Sequence, residues 1–307
     1  MQINNPIEKK LFITGATGYV GRHLVNSLLK KGYIIYVLER ERSNIFSNDK
    51  NVYQIIGNIT DPIILPPGID TIFHCAGVIW EIEQLEKVNV LGTKNIVDIA
   101  MKNNCQLIHL SSAGVIAPHN AYEWSKCRGE KIVLEAIKIG LKAHILRPTT
   151  IFGPGKNREG NSFIELIKNM RNGYYKNIGH GVYNIVHVDE VVKAMIMLAE
   201  TNIPHGDIYL INNPVAFRDI DMWVKSLPPV IAKKTKTVPY PVAWLIALVL
   251  TLACFITRRK NPLTFSRLRA LTNTMAYSQD KIVEVIHFKN ALPIEEYIKK
   301  VGSELLV

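Results

Sequence analysis

The chain has 307 residues, with 37 Lys and Arg against 26 Asp and Glu, and a net charge of +11. A hydrophobic fraction of 48% fits a folded protein with a full core and argues against a disordered chain. The four cysteines (Cys75, Cys105, Cys127, Cys254) form no C-x-x-C pair and no metal-ligand spacing, so neither a disulfide framework nor a zinc site is expected.

From the N-terminus, "KLFIT" (10–14) reads as a strand and "GYVGRHLVNSLLKKG" as a helix closed by Gly32. The start lacks the long apolar run of a signal peptide, so a cytoplasmic location is expected. Further strands are expected at 33–39, 52–57, 70–76, 106–112 and 143–148. Helical periods fill "LEKVNVLGTKNIVDIAMKNN" and "AYEWSKCRGEKIVLEAIKIG". Strand–helix alternation over residues 1–150 implies an α/β domain whose parallel strands are joined by right-handed crossovers. Residues 151–307 are less regular and richer in Gly, Pro and Asn. They read as a smaller substrate-binding part.

Between the first strand and helix lies "TGATGYVG" (14–21). Its glycines, Gly15, Gly18 and Gly21, are spaced G-x-x-G-x-x-G, with Thr17, Tyr19 and Val20 between them. A strand feeding a helix N-terminus presents unpaired N–H groups and a positive dipole end to a pyrophosphate. Glycines let the backbone turn tightly and approach the ligand. Glu39, at the end of the second strand, suits the ribose hydroxyls of NAD. Arg40 and Arg42 follow at once and would suit the extra phosphate of NADP.

A tyrosine and a lysine four apart mean little alone in a chain with 12 Tyr. Such a pair occurs at Tyr122 and Lys126, and again at Tyr277 and Lys281. Context separates them. The first pair follows a strand ending in Ser111 and Ser112. The second follows no such strand and reads as a surface helix start.

With the glycine loop, "FHCAG" (73–77), "NVLGTKNIV" (89–97), "LSSAG" (110–114), "YEWSK" (122–126), "LRPTTIFGPG" (146–155) and "VHVDEVVKAM" (186–195), the chain resembles the extended short-chain dehydrogenase/reductase family, in its nucleotide-sugar epimerase and dehydratase branch. The resemblance implies a Rossmann-type doubly wound parallel sheet, a bound NAD or NADP and a smaller C-terminal substrate domain. It implies catalytic roles for Ser112, Tyr122 and Lys126. It places Asn58, Ile59, Cys75, Ala76, Gly77, Asn89 and Pro148 beside the cofactor. Val78, Ser112, Lys156 and Arg158 would border the substrate.

The chemistry is consistent with that set. An ordinary phenol has a pKa of about 10, so ionising it at pH 7 costs roughly 4 kcal/mol. A nearby ammonium lowers that cost, and residues 122 and 126 share one helix face. His74, His109 and His187 lack ligand spacing and read as core or cofactor-side residues, with no metal.

Residues 242–257, "VAWLIALVLTLACFIT", carry no charge and are followed by Arg258, Arg259 and Lys260. Residues 231–307 hold twelve Lys or Arg against five Asp or Glu (12 − 5 = +7), and residues 1–230 hold 25 against 21 (25 − 21 = +4). As a helix, 242–257 would be about 24 Å long, short of the roughly 30 Å hydrocarbon core. It is expected to lie in one leaflet with the basic residues 258–260 on lipid phosphates. A buried helix or a homodimer interface is the alternative. No aromatic-interleaved basic patch points to nucleic acid. The functional expectation is epimerisation or reduction of a nucleotide sugar or lipid-linked sugar. A 3β-hydroxysteroid or sterol-type dehydrogenase is the alternative. A non-enzymatic scaffold would require a broken Ser–Tyr–Lys set, and all three residues are present.

Overall fold

The structure, a computed structural model, describes residues 9–155, 162–172, 176–178, 180–225, 236–257, 261 and 263–304. In chain order the first elements are β1 (Lys10–Thr14), α1 (Tyr19–Leu29), β2 (Ile34–Glu39), β3 (Val52–Ile56) and β4 (Ile69–His74). A π-helical turn (Glu86–Gly92) then runs into α2 (Thr93–Lys102), followed by β5 (Gln106–Leu110), α3 (Ala121–Lys138) and β6 (Ala143–Pro148). Next come β7 (Thr150–Phe152), α4 (Ser162–Arg171), β8 (Lys176–Ile178), β9 (Val182–His187), α5 (Val188–Glu200), β10 (Ile208–Ile211) and β11 (Asn213–Ala216). The remainder comprises α6 (Phe217–Lys225), β12 (Lys236–Val238), α7 (Tyr240–Thr257), α8 (Phe265–Thr272), α9 (Asp280–Ile286) and α10 (Ile294–Glu304).

Seven strands form one sheet in the order β10-β6-β5-β4-β1-β2-β3, and every pairing in it is parallel. The central strands are apolar along their length because helices cover both faces. Phe12, Ile72, Leu107, Ile145, Ile96 and Val133 are all fully buried in or against this sheet. The order reverses between β1 and β4, which makes a crevice outside their C-terminal ends. Open α/β sheets bind ligands at such a switch point.

The chain divides into two compact units. One takes the chain as far as Thr149, then Val188–Ile211 and Gln279–Lys289. It contains the seven-stranded sheet. The other takes Thr150–His187, Asn212–Ser278 and the chain from Asn290. Its core gathers Phe152, Phe163, Phe217, Ile220 and Ile298 around the three-stranded sheet β11-β9-β7.

Two local outcomes differ from the sequence pattern. The expected helix before β5 opens as a π-turn over Glu86–Gly92. Such single-turn π-bulges occur frequently at functional sites. The apolar helix starts at Tyr240 rather than Val242. Pro241 falls in its first turn, where its missing N–H would have had no intrahelical acceptor.

Candidate active site

The glycine loop joins β1 to α1 at the switch point. Gly15 has φ +69°, and a Cβ there would lie 2.6 Å from the Ala76 nitrogen. A Cβ on Gly21 would lie 2.1 Å from the Gly15 carbonyl oxygen. The Gly18 N–H donates to the Gly15 carbonyl at 2.9 Å, closing the turn. Thr17 lends its carbonyl to the Arg22 side chain at 2.7 Å, while Tyr19, Val20 and Gly21 form the first turn of α1. No side chain caps this helix, so its leading N–H groups remain available as backbone donors. The cradle therefore fits a pyrophosphate.

Glu39 ends β2 and is buried. Ser43 holds its carboxylate, donating from Oγ at 3.0 Å and from the backbone N–H at 3.2 Å. Gln54 in turn donates to the Ser43 carbonyl at 2.7 Å. Arg40 is exposed beside it. Past β3, Asn58 accepts from the Thr60 N–H at 3.2 Å, and Ile59 is buried with its carbonyl bonded to Asn95.

The end of β4 is locked by a neutral network. The Thr93 hydroxyl donates to the Asn89 carbonyl at 2.7 Å, so at 3.0 Å His74 Nε2 must be the donor to Thr93. His74 Nδ1 then accepts from Thr14 at 2.8 Å, and Thr14 accepts from the Ala76 N–H at 3.3 Å. Burial holds His74 down at about 3, with the Lys126 charge adding to the effect, so the ring stays neutral at ordinary pH. Asn89 clamps the loop after Cys75, Ala76 and Gly77 by bonding both backbone groups of Val78 at 2.9 Å. It also donates to Ser125 at 2.9 Å, whose hydroxyl donates to the Tyr122 carbonyl at 2.7 Å. The π-turn thus ties the loop beside the glycine cradle to the helix bearing Tyr122.

That helix has a defined start. Asn120 accepts from the Glu123 N–H at 2.9 Å, and Glu123 accepts from the His119 N–H at 2.6 Å. This reciprocal cap sets where α3 begins. Tyr122 and Lys126 then lie one turn apart on one face. The Ser112 hydroxyl accepts from the Gly114 N–H at 3.2 Å. Burial pushes the Tyr122 phenol up to about 12; the nearby Ser112 hydroxyl opposes the rise and Glu123 adds to it. Burial also brings the Lys126 ammonium down to about 8, against the pull of Glu130. Lys126 donates to the Leu110 carbonyl at 2.8 Å.

The parallel sheet thus sets the glycine loop, Glu39, Asn58, Cys75–Gly77, Ser112 and Pro148 at the C-terminal ends of successive strands. Lys156 and Arg158 lie outside the described residues. Tyr277 and Lys281 do not share a helix. Tyr277 precedes α9 and bonds Asn184 and Asn212 through its backbone, while Lys281 pairs with Asp207. The second Tyr–Lys pair therefore has no shared face. His74, His109 and His187 are all buried, and no cluster of metal-ligating side chains occurs among the described residues. Sequence reasoning missed Ser43, Ser125, Glu130 and Arg147. Only Glu130 carried a signal, standing one helical turn past Lys126.

The family model described as "NAD dependent epimerase/dehydratase family" matches residues 11–212. The chain is 26% identical over 68% of its length to a 4-hydroxy-2-methyl-3-oxo-4-farnesyl-3,4-dihydroquinoline-1-oxide ketoreductase of Stigmatella aurantiaca, covering 70% of that protein. It is 23% identical over 92% of its length to a decarboxylating sterol-4-alpha-carboxylate 3-dehydrogenase of Schizosaccharomyces pombe, covering 94% of it. Among solved structures it superposes with a TM-score of 0.73 on dTDP-glucose 4,6-dehydratase from Bacillus anthracis in complex with NAD. That likeness, at 17% identity over 96% of this chain and 95% of the other, is one of fold.

Proposed function

The chain belongs to the NAD-dependent epimerase/dehydratase family of oxidoreductases, and from that premise we propose that it interconverts a secondary alcohol and a ketone on an apolar, membrane-resident substrate. The observation that carries the reading is a buried Lys126 one helical turn from a half-buried Tyr122, with Ser112 at the end of β5, in a sheet with an intact dinucleotide cradle. Bound NAD would supply the hydride acceptor or donor and a positive ring beside the phenol. Gly15, Gly18 and Gly21 would hold its pyrophosphate, and Glu39 would meet the adenosine ribose. Tyr122 moves the proton of the substrate oxygen. Ser112 bonds the same oxygen and orients it. With the cofactor bound, Lys126, which here donates to the Leu110 carbonyl, would be placed to hold the nicotinamide ribose and would favour the phenolate by its charge.

The apolar substrate class is supported by relatives whose names specify a sterol carboxylate and a farnesylated quinoline. It is supported separately by α7, an 18-residue helix of mean hydropathy 2.1 of which only 11% is buried. The nucleotide-sugar and lipid-linked sugar reading stands second, favoured by the fold likeness to the dehydratase. Product analysis distinguishes them. Purified protein is mixed in detergent with NAD and 3β-hydroxysterols, or with NADH and isoprenoid ketones, and followed by nicotinamide absorbance. It is mixed separately with NAD and UDP-glucose or dTDP-glucose, whose conversion returns the hydride and is followed by product NMR. Turnover of the sugars alone would overturn the apolar reading.

The same reading seats α7 on the cytoplasmic face of a membrane, in the plane of one leaflet. Ala243 and Ala247 face Leu268 of α8, Trp244 meets Phe265 at 5.8 Å, and Asn261 donates to Thr251 at 3.0 Å. The chain therefore doubles back along its own helix. Were α7 to cross a bilayer, the exposed Arg267 and Arg269 would be drawn to hydrocarbon depth at roughly 3 kcal/mol each. The opposite face of α7 presents Val242, Leu245, Val249, Leu252 and Ile256, all exposed. Ile246 and Phe255 flank that stripe where a water-soluble helix pair would carry charges, which favours lipid over a second copy.

A further inference from the structure

Beneath Lys126 lies a charged cluster that neither the catalytic set nor the cofactor cradle includes. Glu130 stands one turn further along α3 and is only 3% exposed. Its Oε2 accepts from the Ser111 hydroxyl at 2.6 Å and from Arg147 Nε at 3.0 Å. Arg147 Nη2 bonds the other oxygen, so the guanidinium grips the carboxylate at two points. Ser111 is therefore turned into the protein, and Ser112, next along an extended backbone, is turned the other way toward Tyr122. The adjoining Leu110 carbonyl is the group that receives Lys126.

We propose that Glu130 is a positioning residue for the reaction: anchored by Arg147 and Ser111, it keeps Lys126 charged and aims the end of β5 so that Ser112 faces Tyr122. The proposal rests on Tyr122 and Lys126 being the working pair. The groups acting on Lys126 can be taken element by element. From β4 and the residue after it come His74 and Cys75. Burial keeps the first a neutral ring and the second a protonated thiol, raised to about 12. From β5 comes His109, whose ring burial also keeps neutral. From α3 itself come Tyr122, a neutral phenol in the resting chain, and Glu130. Among these described groups the negative charge is Glu130's. Arg147 reaches it from β6 with its side chain 21% exposed, so part of the positive charge of the pair is met by water. The net field at Lys126 from the pair is thus attractive. Removing the carboxylate alone would leave two cations facing each other across a dry gap.

The test reads Lys126 directly. Competitive labelling with acetic anhydride across a pH series, followed by peptide mass spectrometry, reports where Lys126 loses its proton. In Glu130→Gln the pH of half-maximal labelling should fall by about one or more, the range expected for loss of a close opposite charge. The double variant Glu130→Gln/Arg147→Met removes the stranded cation, and buried ion pairs tolerate such apolar replacement. It too should label at lower pH than the wild type. Folded variants that label at the wild-type pH, or two variants that both fail to fold, would make the pair purely structural and overturn the proposal. Full turnover in Tyr122→Phe would instead sink the underlying assignment while leaving the labelling result intact.

Discussion

Tyr122 and Lys126 are opposed by the same force. Burial disfavours both charged forms, raising the phenol to about 12 and lowering the ammonium to about 8. Under the proposed mechanism, the reducing direction requires Tyr122 to enter the step protonated and Lys126 charged. Lys126 has a lowered pKa, so its charge is present below about pH 8 and lost as pH rises through that value. Ketone reduction should therefore decline above about pH 8, while the phenol is still protonated. A flat profile to pH 10 would show that Lys126 is not the titrating group. Tyr122→Phe keeps the ring's packing and removes the proton carrier. Its turnover should fall by at least about 10²-fold, the contribution of a positioned acid or base. Tyr277→Phe, which alters a hydroxyl away from any Tyr–Lys face, should leave turnover unchanged.

At the level of elements, the β1–α1 joint tolerates no side chain. Gly15→Ala would force a Cβ to 2.6 Å from a backbone nitrogen at φ +69°, a conformation that costs L-residues about 1–2 kcal/mol before any clash. Gly21→Ala meets a carbonyl oxygen at 2.1 Å. Both variants should lose dinucleotide binding in titration calorimetry, and Gly21→Ala should also lower the melting temperature. The hairpin of α7 and α8 makes a different prediction. A Trp introduced at Leu245 and another at Ile256 should be quenched by brominated lipids at the same depth if the helix lies in the leaflet plane. Unequal depths would mean that it crosses.

For the molecule as a whole, the charge of +11 and the exposed apolar helix act over different ranges. Under the proposed membrane seating, the basic residues would draw the chain toward anionic lipid but be screened within about 10 Å at 0.1 M salt. Apolar burial, at about 25 cal/mol per Å², is indifferent to screening. The protein should therefore pellet with anionic vesicles and stay bound through a high-salt wash. Leu245→Glu with Leu252→Glu, at positions 57% and 59% exposed, should release it folded, by circular dichroism and gel filtration. Release as a stable dimer rather than a monomer would instead favour a second copy as the partner of α7. Loss of folding would mean that the helix is core.

The sequence by itself determined the strand–helix alternation, the glycine loop, the Tyr122–Lys126 spacing and the apolar run. All four follow from local periodicity or from residues close in the chain. The strands at 10–14 and 143–148 are legible to the residue because fully buried strands are continuous apolar runs. What only the tertiary structure decided is which partners distant residues find. Ser43 closing on Glu39, Asn89 reaching both Val78 and Ser125, and Arg147 gripping Glu130 across two elements leave no periodic trace. Each depends on where the sheet order sets one strand end beside another. The π-turn is a further case, since its local sequence reads as ordinary helix and its irregularity accompanies the long-range bonds of Asn89. The return of the chain along α7 was equally hidden, because one hydrogen bond from Asn261 and the packing of Leu268 define it.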